Sequence, residues 1–94
     1  MARGPREKPE RLAEKLLAVR LTLNLSQSEI LKQLGAEDKM VYSRISEFES
    51  GKGEPSLIVL LAYARLAGVC VEVLIDDELD LPPKLPRKPT HKPT

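Results

Sequence analysis

The residues of this chain whose types could do chemistry fall into a few groups. Asp76, Asp77, Glu78 and Asp80 offer ligand oxygens, but their spacing does not fit a calcium loop, which also needs a central glycine, so solvated charge is the expectation. His91 stands in a proline-rich end with no companion ligand, and Cys70 is the one cysteine, expected to be a buried, inert thiol. No nucleophile with a paired base, no phosphate loop and no metal-ligand spacing occurs, so neither catalysis nor a metal or cofactor is expected. What remains is a polar group, Tyr42, Ser43, Arg44, Ser46 and Glu47, rich in donors and acceptors on one short stretch. Its chemistry is hydrogen bonding and charge.

The elements that must present this group follow from periodicity. Met1 to Pro9, with two prolines and three basic residues, reads as a flexible arm. Leu12, Leu16, Val19 and Leu23 then recur at helical steps, with Leu17 and Leu21 widening the stripe enough to predict cover on more than one side. Asn24 interrupts, and Ser26 with Glu29 forms the Ser-x-x-Glu pattern of a capping box, in which hydroxyl and carboxylate each satisfy an amide at a new helix start. A second helix is predicted from Gln27 to Leu34, closed by Gly35 as a left-handed cap. Val41, Ile45 and Phe48 predict a third over 41–49, ended by Ser50-Gly51-Lys52-Gly53. Glu54-Pro55-Ser56 starts a fourth, with Leu57, Leu60, Leu61, Ala64 and Ala67 as its buried face and Gly68 as its end. A fifth is short, Val71 to Asp76. From Pro82 onward the prolines forbid helix, and 82–94 reads as a disordered tail rich in Pro and Lys. The domain itself is placed at 10–81.

Composition agrees with an all-α class: Tyr42, Phe48 and Tyr63 are the three aromatic residues, and leucine dominates. One small core is the limit for so short a chain. With no apolar stretch long enough for a membrane and no export leader, the expected compartment is the cytoplasm. The net charge of +1 conceals an uneven distribution. Residues 1–25 carry six basic and three acidic residues, residues 26–83 five and eleven, and residues 84–94 four basic ones. Any attraction to phosphate must therefore lean on the two ends, Arg3, Arg6 and Lys8, and Lys84, Arg87, Lys88 and Lys92.

Two short helices joined by a glycine turn are the arrangement that places a helix in a DNA major groove. Leu25-Ser26-Gln27, Leu34-Gly35, the run Ile45 to Lys52, Glu54-Pro55-Ser56-Leu57 and Leu60 to Arg65 with Gly68-Val69 together resemble the Cro/repressor (XRE-type) helix-turn-helix family over about residues 10–76. That resemblance implies a compact five-helix, lambda-repressor-like domain and a sequence-specific, DNA-binding transcriptional regulator. By it, Gln27 opens the second helix and contacts a phosphate, aided by orphan amides there, and Lys52 does so at the other flank. The third helix buries Ile45 and Phe48 and turns Tyr42, Ser43 and Glu47, with Arg44 and Ser46, toward base edges, where arginine suits guanine and a carboxylate suits cytosine N4. Each of these alone also fits a solvated helix face. Arg20 and Glu49 match an ion pair that fixes the angle of the third helix.

Several residues depart from the family pattern. Glu37 to Met40 look like an insertion before the third helix, Leu31 stands where a small residue is usual, and Glu37, Asp38 and Glu47 weaken attraction to phosphate. Ile58, Val59 and Ala62, with Val73 and Ile75, offer more apolar surface than one core absorbs, which predicts a homodimer interface. An antitoxin-like or adaptor protein-interaction module on the same fold, with weak or no DNA binding, is the alternative.

Overall fold

A computed structural model describes residues 9–85. They form five helices: α1 (Leu12–Thr22), α2 (Gln27–Gln33), α3 (Ser43–Ser50), α4 (Leu57–Ala67) and α5 (Val71–Ile75). Among the described residues there is no strand, and no helix is long and apolar enough to cross a membrane. The arm at residues 1–8 and the end from residue 86 lie outside the described residues.

Local rules set the helix ends. Helix α1 closes with Asn24 in the left-handed region (φ 60°), where the Leu25 amide reaches back to the Arg20 carbonyl at 3.1 Å. Asparagine tolerates that conformation better than most residues with a side chain. The capping box at α2 is complete: the Glu29 amide donates to Ser26 Oγ at 3.0 Å, and the Ser26 amide donates to Glu29 Oε1 at 2.7 Å. Ser56 caps α4 in the same way through the Val59 amide, at 3.2 Å. Gly51 and Gly68 end α3 and α4 with positive φ, which a side chain would resist.

Helix α1 lies at the centre, against α3, α4 and α5, while α2 packs on α3 and α4 on α5. The core gathers Leu12, Leu16, Val19, Ile30, Leu31, Ile45, Phe48, Leu60, Tyr63, Ala64, Ala67 and Leu74. Leu31 is among them, and the long segment between α2 and α3 supports it instead of lying free. Ala36 is buried and Met40 leans on the core. The Lys39 and Met40 amides both donate to the Ala36 carbonyl, at 2.9 and 3.1 Å, closing a compact turn.

Five expectations need correction. Val41 is 64 % exposed, because α3 starts at Ser43 and Val41 falls in the turn before it. Leu21 is exposed, since no element covers the far side of α1 at its last turn. Leu57, the first residue of α4, is exposed rather than part of the buried face. Cys70 is an exposed free thiol at the N-cap of α5. Finally, the segment 82–85 does not begin a free tail: Leu85, like Leu81, packs against the core, because residues beyond α5 fold back along it.

The acidic stretch after α5 also does more than meet solvent. The Asp77 carboxylate accepts from the Glu10 and Arg11 amides at 3.0–3.1 Å, tying the residues that lead into α1 to the segment after α5. Arg11 returns the contact through Asp80 at 2.8 Å and the carbonyls of Asp77 and Leu79. Asp80, with Glu14, holds the Arg11 guanidinium above its ordinary pKa. Beneath this corner sits Lys15, only 2 % exposed, whose ammonium donates to the carbonyls of Val73, Asp76 and Leu79 at 2.7, 2.9 and 2.6 Å. Burial pushes its pKa below the usual lysine value. The three carbonyls supply the hydrogen bonds that let it remain inside.

Candidate nucleic-acid interface

Helix α3 buries Ile45 and Phe48 and leaves Tyr42, Ser43, Arg44, Ser46 and Ser50 exposed, with Glu47 half-buried. One face therefore belongs to the core and the other, with three hydroxyl-bearing serines, faces outward. Arg44 pairs with Glu47 one turn later and stacks over the Phe48 ring at 5.3 Å from its centre. Both interactions hold the guanidinium along the helix. Lys52 is exposed just past the Gly51 cap, its amide tied to the Glu47 carbonyl at 3.0 Å.

The angle of α3 is fixed by a network that draws on α1 and α2. Arg20 on α1 meets Glu49 on α3 in a two-pronged pair, Nε to Oε2 at 2.6 Å and Nη2 to Oε1 at 3.0 Å. Side chains 15 % and 6 % exposed keep it mostly out of water. Arg20 Nη1 also donates to the Leu25 carbonyl at 3.0 Å, which ties the turn between α1 and α2 to the same group. Hydrogen bonding to Glu49 raises the Arg20 pKa further. Gln27, the first residue of α2, is half-buried and donates from Nε2 to Glu49 Oε1 at 3.3 Å. It thus joins this network as it stands, instead of projecting freely from the helix start.

Of the residues singled out for their chemistry, Gln27, Arg20 and Glu49 come together at one point, while Tyr42, Ser43, Arg44, Ser46 and Glu47 line the α3 side. The apolar group proves heterogeneous: Ile58 and Ile75 are exposed, Ala62 and Val73 are half-buried, and Val59 leans on the core. Tyr63 was not singled out, although the charges of Glu49 and Arg20 act on it. It is fully buried on α4, and its hydroxyl has no hydrogen-bond partner among the described residues. Burial, then Glu49, raises the phenol pKa, while Arg20 lowers it. An aromatic residue among leucines reads as core filler, and nothing local to Tyr63 signals charges nearby.

Comparison with protein-family models and with curated proteins finds no match to this chain.

Proposed function

We propose that this chain is a sequence-specific DNA-binding transcriptional regulator of the lambda-repressor-like, Cro/repressor helix-turn-helix type, with α3 as the helix that enters the major groove. The observation that carries the reading is the pairing of an outward, hydroxyl-rich face on α3 with a buried brace behind it. A reading helix must hold its angle to the groove within narrow limits, and Arg20 with Glu49 supplies a rigid, directional link to α1. Ser43, Ser46 and Arg44 then address base edges, and Gln27 and Lys52 address phosphates at the flanks. A homodimer would present two such helices to half-sites one turn apart, with exposed Ile58 and Ile75 as its apolar surface.

The test is selection of bound duplexes from a random library, followed by titration at two salt concentrations. A recovered palindrome, bound in the nanomolar range and weakening steeply with salt, is the expected result. No preference over random duplex at moderate salt would sink the reading.

One observation favours a second reading, an adaptor or antitoxin-like module. Leu57 and Ile58 are 82 % and 75 % exposed side by side, while Arg44 is already engaged by Glu47 and Phe48. Replacing Arg44 and Gln27 by alanine separates the two. Loss of duplex affinity in a folded protein supports the regulator, and unchanged duplex signal with retained partner binding supports the module.

A further inference from the structure

Helix α3 carries one arginine and two glutamates, and each carboxylate has its own cation. Glu49 is held by Arg20. Glu47 is held within the helix itself: Arg44 Nη1 donates to Glu47 Oε1, and the same guanidinium lies over the Phe48 ring. A Cβ at Gly53 would stand 3.6 Å from both atoms of that hydrogen bond, so the pair rests against the start of the connection to α4. Arg44 leaves α3 at its second residue and ends one turn further on, along the helix instead of away from it. Burial does not compel the pairing, because both side chains keep nearly half of their surface in water. Its consequence is electrostatic. The arginine of the outward face meets any approaching group already carrying a counter-charge.

We propose that Glu47 is a specificity-determining residue: it withholds Arg44 from phosphate and releases it to the major-groove edge of a G·C pair. The proposal rests on the DNA-binding reading and names the base pair that one of its contacts selects. A phosphate offers only acceptor oxygens and negative charge. Taking Arg44 would leave the Glu47 carboxylate beside a second anion with its donor lost, which costs affinity. A G·C pair offers two acceptors, guanine O6 and N7, and one donor, cytosine N4. Arg44 then passes to guanine while Glu47 accepts from N4, so neither charge is stranded. The ion pair matches as a unit a base edge that holds both kinds of group, and it mismatches the backbone. Affinity for random duplex is almost entirely phosphate attraction, so the pair lowers the background more than the target.

The experiment compares the unaltered chain with Glu47→Gln, Arg44→Ala and the double variant, each checked for its fold by circular dichroism. All are titrated with a random duplex across a salt series and used to select duplexes from a random library. Glu47→Gln should bind random duplex about eightfold more tightly at about 0.1 M salt, and should steepen the slope of log K against log salt by about 0.9, the value of one more phosphate contact. In the Arg44→Ala background the same substitution should leave that slope unchanged. A glutamate that merely repelled DNA would act equally in both backgrounds, and that result overturns the proposal, as does an unaltered slope for Glu47→Gln alone. Selection should return a G·C position in the half-site that relaxes in both single variants, with Glu47→Gln admitting A·T because a glutamine amide suits adenine. A position that relaxes in Arg44→Ala only, or none that prefers G·C, also overturns it. If the unaltered protein selects no duplex, the DNA-binding reading fails and takes the G·C match with it, while the slopes still decide whether Glu47 withholds Arg44 from phosphate.

Discussion

Replacing Arg20 by methionine should cost far more than replacing Glu49 by glutamine, although both break the same ion pair. Methionine keeps much of the arginine stem's bulk but strands the Glu49 carboxylate, 6 % exposed, with only the Gln27 amide at 3.3 Å. Removing one partner from a buried pair costs about 3–5 kcal/mol. Residues 9–85 give a total stability of about 4–12 kcal/mol at the usual value per residue, so Arg20→Met consumes much of it. Glu49→Gln leaves a different residue. Arg20 is 15 % exposed, keeps the Leu25 carbonyl at 3.0 Å, and still finds a carbonyl oxygen on residue 49. Its cost should be about 1–3 kcal/mol, the range for weakening hydrogen bonds to a charged group. Arg20→Met combined with Glu49→Met should recover most of the loss, because no charge is then buried alone. Urea unfolding at neutral pH, with the slope checked for constancy, measures all three. A cost below about 1 kcal/mol for Arg20→Met, the value of an exposed pair, or a Glu49→Gln variant less stable than Arg20→Met, would refute the argument.

Lys15→Met should destabilise by about 2–4 kcal/mol, because three carbonyls lose a charged donor that repays its desolvation only through them. Hydrogen exchange at the amides of residues 76–81 should speed up more than at α2, and equal acceleration throughout would contradict a local latch. The alkaline limb of stability should belong to Tyr63. Its folded pKa lies above the ordinary 10.0, so its contribution is fully present below pH 10 and is lost as pH rises and only the unfolded chain ionises. Lys15 works in the opposite sense, its depressed pKa adding stability as pH climbs toward 10.5. Tyr63→Phe should therefore flatten or reverse the alkaline decline in denaturant titrations, and an unchanged decline would remove Tyr63 as its source. Ser26→Ala should cost about 1 kcal/mol by opening the capping box, read as a lower urea midpoint, and an unchanged midpoint would show the cap to be idle.

Helix ends were legible because they are local. A serine three residues before a glutamate and glycines at the ends of periodic runs state their geometry within a few residues. The apolar stripes likewise placed Leu12, Leu16, Val19, Ile45 and Phe48 inside, and the resemblance paired Arg20 with Glu49. Contacts between distant segments could not be read in this way. Lys15 sits in an ordinary helical pattern, and its burial depends on carbonyls that α5 and the following turn bring to it. Asp77 looked like one member of a solvated acidic run until the fold placed the amides of Glu10 and Arg11, just before α1, against it. Val41 and Leu57 failed for a subtler reason. Both continue a helical period, but Val41 falls in the turn before α3 and Leu57 is the first residue of α4, where no neighbouring element covers the stripe.

The lysine inside α1 also sets an order on how the domain comes into being. Its three acceptors are added to the growing chain 58, 61 and 64 residues after it. A nascent chain that has released α1, α2 and α3 from the ribosome still carries that ammonium with nothing to receive it, and burying it alone would be prohibitive. The ammonium on the central helix must stay hydrated until α5 has been synthesised and packs back against it. Closure of the core around α1 is thereby deferred until Leu79 has been added, and a chain that stalls before Val73 leaves that helix open to proteolysis.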